Sequence, residues 1–97
     1  MHRSQNSVAG YLSDAISAGE KLLLKTPSDV RALSEVARAY RDASALALNG
    51  RDPSKAAGLL KKSAEYWRAS VKRSPLDVEF AANALQSELD LARTAVV

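Results

Sequence analysis

One histidine, carboxylates scattered among basic residues, and a cluster of lysines and arginines are the groups through which this chain could do chemistry. His2 stands alone near the start, with no second ligand or nucleophile beside it, so neither metal binding nor proton transfer is read from it. Asp14, Glu20, Glu35, Asp42, Glu65, Glu88 and Asp90 are interleaved with Lys and Arg, the pattern of solvated helix faces, and no acid/base pair stands out. Neither a Gly-rich phosphate loop nor a nucleophile motif occurs. The chain is therefore expected to be no enzyme and to take no metal and no cofactor.

Basic charge is concentrated between Pro53 and Ser74, where Lys55, Lys61, Lys62, Arg68, Lys72 and Arg73 face a single acid, Glu65. The segment from Leu76 onward is the reverse, with Asp77, Glu79, Glu88 and Asp90 against Arg93. Helical spacing puts Lys55, Lys62 and Arg73 on one side and Lys61, Arg68 and Lys72 on another, which breaks the stripe a phosphate backbone needs. With a net charge of only +3, nucleic acid is not the expected partner. Attraction between helices, or plain solvation, accounts better for the two unlike ends. Trp67 could stack on a ligand, but it shares its helical row with Leu60, Ala64 and Val71 and is assigned to the core.

The elements that position these groups are helices. Strand signals are poor, whereas Ala, Leu, Lys, Arg and Glu dominate. A first helix over 4–25 carries Leu12, Ala15, Ile16, Gly19, Leu22 and Leu23 at the three-and-four spacing of a buried stripe, after an irregular start at 1–3. Thr26 suits an N-cap and Pro27 the first helical position, opening a second helix over 27–49. Its stripe is Val30, Leu33, Val36, Ala37, Tyr40, Ser44, Ala47 and Leu48. A second row, Ala32, Ala39, Ala43 and Leu46, is expected to face another neighbour. Asn49-Gly50 should supply the left-handed exit, after which Asp52 caps and Pro53 opens a third helix over 53–74. Its buried side is Ala56, Leu59, Leu60, Ser63, Ala64, Trp67 and Val71. The fourth, over 75–96, carries Val78, Ala81, Leu85, Leu89, Ala92 and Val96 along its main stripe.

Thr26-Pro27-Ser28-Asp29-Val30 returns as Ser74-Pro75-Leu76-Asp77-Val78 at a spacing of 48 residues, and Ala9-Gly10 and Leu12 return as Ala57-Gly58 and Leu60. Repetition at one spacing marks arrays whose units bury their apolar faces by stacking on one another. Leu33, Val36-Ala37 and Tyr40, followed by Ala56, Leu60, Ser63 and Pro75, resemble a tetratricopeptide repeat. That unit is roughly 34 residues, and the 14 or so extra are about two turns for each helix, which leaves the packing faces unrotated. The segment from Glu35 to Trp67 is similar to long-helix repeats appended to bacterial serine/threonine protein kinases, although no kinase motif is present. Two departures are Ala37 where the family commonly has Gly, and Glu88 at the position answering to Tyr40.

The resemblance implies a single all-α domain of four antiparallel helices over residues 1–97, a short α-solenoid whose work is protein–protein interaction. It places a groove beside the packing stripes of the second and fourth helices, at Arg31, Ser34, Arg38 and Arg41 and at Glu79, Ala82, Asn83 and Gln86. Arginines there would hold the carboxylates of an extended or acidic peptide. An alternative is a structural oligomerisation unit. Phe80, Ala84, Leu91 and Ala95 form a row off the main stripe of the fourth helix, and no fifth helix follows in these residues to cover it, so the row is expected to pair with its copy as a homodimer. No stretch approaches the ~18 apolar residues of a membrane span, Met1 to Asn6 lack an apolar run, and cysteine is absent. A cytoplasmic location is the expectation.

Overall fold

The computed structural model describes the backbone of residues 3–96 and the side chains of 8–94. Four helices follow one another: α1 (Arg3–Lys25), α2 (Val30–Asn49), α3 (Pro53–Arg73) and α4 (Val78–Val96). Each packs on the next as an antiparallel neighbour, most extensively α2 on α3, giving an all-α fold with no strand among the described residues. The body measures 41 × 31 × 19 Å. Its thinnest dimension is about two helix diameters, so few side chains can be enclosed on every side.

The repeated sequence makes a repeated turn. Thr26 N–H donates to the Leu22 carbonyl at 2.9 Å and Asp29 N–H to the Thr26 carbonyl at 3.1 Å; 48 residues later Ser74 donates to Ser70 at 2.9 Å and Asp77 to Ser74 at 3.1 Å. The caps are Asp29, whose carboxylate accepts from Ala32 N–H at 3.1 Å, and Asp77, which accepts from Phe80 N–H at 3.2 Å. The helices thus start about three residues later than Thr26 and Ser74 would have them, because the proline occupies the turn and the aspartate is free to satisfy the first open N–H groups.

Between α2 and α3 the left-handed residue is Arg51, with φ of 60°, and not Gly50. Three backbone bonds fold this corner, from Gly50 to Leu46, Arg51 to Leu48 and Asp52 to Ala47. Asp52 caps α3 by accepting from Lys55 N–H at 3.0 Å, and Pro53 opens it. Residues 1 and 2 of the expected irregular start lie outside the described residues, and α1 begins at Arg3.

Small residues let the helices close on Trp67. Ala37, Ala56, Ala64 and Trp67 are almost entirely enclosed, with Val36 and Leu60 beside them. Ser63 joins them because its hydroxyl donates to the Ala37 carbonyl of α2 at 2.8 Å, which removes the cost of burying it. Both expected rows of α2 turn inward, consistent with its two neighbours: Leu33, Val36, Ala37, Ser44 and Ala47 on one, Ala32 and Ala39 on the other.

The fourth helix corrects the expectation. Its buried side is the row expected to be open: Ala84 is buried, Phe80 stacks in a tilted geometry on Trp67 with centroids 6.1 Å apart, and Leu91 is half-buried. The Ala95 side chain lies outside the described residues. The expected main stripe, Val78, Ala81, Leu85, Leu89 and Ala92, is exposed. Two apolar rows on different flanks of one helix cannot be ranked by periodicity alone. The choice is made by the Trp67 surface of α3, which accepts an aromatic ring, and by Ser87, fully enclosed and small enough to let the helices approach.

Candidate partner-binding surface

The side chains assigned to the groove come together in part, but they hold one another. Arg38 Nη2 lies 3.0 Å from Glu79 Oε1 of α4, and its guanidinium stands 5.6 Å from the centroid of the Trp67 ring. Arg41 reaches Asp90 Oδ2 at 3.6 Å and Asn83 Oδ1 at 3.5 Å. Gln86 donates to the other oxygen of Asp90 at 2.9 Å. Together these form a polar seam that fastens α2 to α4. Arg31 lies apart, in an exposed pair with Glu35 at 3.2 Å, and Ser34 is buried with its hydroxyl on the Arg31 carbonyl.

The charge that a peptide carboxylate would meet is therefore already answered by Glu79 and Asp90. The excess of acid in the last helix signalled this in the sequence, but only the fold shows that it faces the arginines of α2. A guanidinium held by a carboxylate and an aromatic face has fewer donors and less field to offer a ligand.

A second polar cluster, absent from the sequence reading, joins the other side of the bundle. Tyr40 and Tyr66 both donate to Glu20 Oε2, at 2.9 and 2.8 Å, and their rings stack with centroids 5.8 Å apart. Burial, followed by the hydrogen bond to the Glu20 carboxylate, pushes the Tyr40 phenol up to about 12, and the same causes raise that of Tyr66 further. One carboxylate thereby ties α1, α2 and α3. The residues were visible, but Glu20 and Tyr66 are 46 positions apart and no local spacing links them.

Beside this clasp runs an apolar trough between α1 and α3, floored by α2 in its first half. It consists of two hollows of about 510 and 590 Å³ that share Ser13 and Ile16. Leu12, Ala43, Leu46 and Leu59 line the first, and Leu23, Leu24 and Tyr66 the second. Among the described residues no group of His, Asp and Glu is arranged to hold a metal ion, and no helix is long and apolar enough to cross a membrane. His2 lies outside the described residues.

The remaining feature is the outer face of α4. Val78 is 82% exposed, Leu85 62% and Leu89 46%, and Ala81, Ala82 and Ala92 lie between them. The 48-residue spacing shows what this face would be elsewhere in the fold. Leu33, Ala37 and Ser44 of α2 are buried, whereas their counterparts Ala81, Leu85 and Ala92 are open. Compared with protein-family models, characterised proteins and solved structures, the chain matches none.

Proposed function

We propose that the chain is a non-enzymatic interaction module of tetratricopeptide-like construction, in which a helical segment of a partner protein docks on the open face of α4. One observation supports this reading above the others. The apolar row of α4 lies in water, while the row at the same repeat position in α2 is enclosed. Contiguous exposed Val and Leu on a helix cost solubility and are retained where something covers them. A helix suits the face better than an extended peptide, since Ala81, Ala82 and Ala92 allow close approach while Leu85 and Leu89 supply knobs. The basic groove on α2 and α4 drops out of the proposal because its arginines already hold acids. A cytoplasmic setting belongs to the same proposal, on the absence of cysteine.

A library of helical peptides tests it. Ligands selected by the native chain should bind the Arg38→Glu variant and fail on Leu85→Glu, with helicity unchanged by circular dichroism. Ligands lost only with Arg38→Glu would return the site to the α2 groove and sink the assignment. A homodimer remains the second reading, now through Val78, Leu85 and Leu89 in place of the buried Phe80 row.

A further inference from the structure

We infer that the partner helix is α4 of a second copy of this chain, seated head-to-tail in the trough between α1 and α3. This rests on the proposal that the open face of α4 docks, and it names what receives that face. The two surfaces match in length, polarity and charge. The trough follows α1 from Ala9 to Leu24, about 22 Å along a helix, and α4 from Val78 to Val96 is about 28 Å long. Its floor is apolar, with Ala43 and Ala47 leaving space between the larger Leu12, Ile16 and Leu59, so Leu85 and Leu89 have hollows to enter.

The rims carry the sign. Lys21 and Lys55 line the trough, and Lys62 follows on the same row of α3 as Lys55, Leu59 and Tyr66. None of these three lysines is in an ion pair among the described residues. Two acids line the trough: Glu20 is taken up by the two tyrosine hydroxyls, and Asp52 accepts from the Lys55 N–H as the cap of α3. The incoming helix belongs to the acidic end of the chain, and Glu88 flanks its apolar row and is exposed, while Glu79 stays paired with Arg38 of its own copy. Apolar contact supplies the affinity, and the unlike charges supply orientation and rate of encounter.

The two surfaces lie on different parts of one chain, so a copy docked this way still presents its own α4. Such heterologous contacts extend into open chains or close into rings, and need not stop at two.

The absence of cysteine makes the test direct. Sedimentation of the native chain over a range of concentrations should show species growing beyond a dimer. Leu85→Glu should weaken association about 10- to 100-fold, and Lys55→Glu with Lys62→Glu should weaken it while leaving the helical content unchanged. Mixing Ser13→Cys with Leu85→Cys under mild oxidation should give mainly the mixed disulfide. Self-association that ends at a dimer and cross-links Leu85→Cys to itself would overturn the head-to-tail arrangement in favour of α4 against α4. A chain that stays monomeric, yet selects helical peptides through Leu85, would overturn the self-docking inference and leave the proposed function standing.

Discussion

Three glycines lie inside helices, and the structure assigns them opposite responses to the same substitution. Replacing a helix-interior glycine by alanine stabilises by about 1 kcal/mol through propensity alone. At Gly10 and Gly58 an added Cβ would meet nothing within 4 Å, so Gly10→Ala and Gly58→Ala should realise that gain, a rise of about 4–8 °C in Tm for a domain of this size. At Gly19 the Cβ would collide with Val36 Cγ2. Val36 is only 1% exposed and β-branched, so it has neither space nor an alternative rotamer to move into. Overpacking of this kind costs about 1–3 kcal/mol, and the rigid partner puts Gly19→Ala toward the upper end. The net effect is a loss of about 1–2 kcal/mol, some 2–3 kcal/mol away from Gly58→Ala. Urea unfolding followed by circular dichroism measures each. Val36→Ala should cost about 2 kcal/mol alone, but in its background Gly19→Ala should become stabilising by about 1 kcal/mol. If Gly19→Ala stabilises the native chain as much as Gly58→Ala does, the seating of α1 on α2 through this contact is wrong.

The tyrosine clasp predicts alkaline sensitivity. Folding holds the proton on Tyr40 and Tyr66 more tightly than the ordinary value of 10.0, so the clasp contributes fully below pH 10 and is lost as pH rises from there toward about 12. Urea midpoints at pH 8, 10 and 11.5 should fall more steeply for the native chain than for Tyr40→Phe/Tyr66→Phe, and parallel curves would remove the clasp as the cause. Tyr66→Phe alone should cost about 1 kcal/mol at pH 7. Arg51→Gly should stabilise by up to about 1 kcal/mol by relieving a left-handed non-glycine residue, read from the same urea curves; a loss would mean that the Arg51 side chain makes a compensating contact. Arg38→Ala should cost about 1 kcal/mol, since it removes an ion pair and a contact with the Trp67 face, while Arg31→Ala should cost less than about 0.5 kcal/mol. Equal losses would mean that the α2–α4 seam contributes nothing.

Much of the fold was legible because its cues are local. Pro53 after Asp52, the helix boundaries that recur 48 residues apart, and the row through Ala56, Leu60, Ala64 and Trp67 follow from capping chemistry and helical spacing, which depend on neighbours within about four residues. The candidate site was less legible. Arg38 and Arg41 were correctly placed beside the stripe of α2, but a charged side chain at such a position is available or engaged according to what lies opposite. Glu79 and Asp90 stand about forty or more residues further along the chain.

The same distinction runs through α4. Composition and spacing alone required a helix here with two apolar rows, and they required one row to lack cover if α3 is its only extensive neighbour. They could not say which. Tertiary packing made the decision: the ring of Phe80 meets Trp67, and Ser87 admits α3 closely, while Arg38 and Arg41 of α2 take Glu79 and Asp90 and hold the helix at that rotation. Burial depends on the shape and charge of the surface facing a row, and that surface exists only once the chain has folded. Val78, Leu85 and Leu89, apolar in either case, become the outward face for that reason.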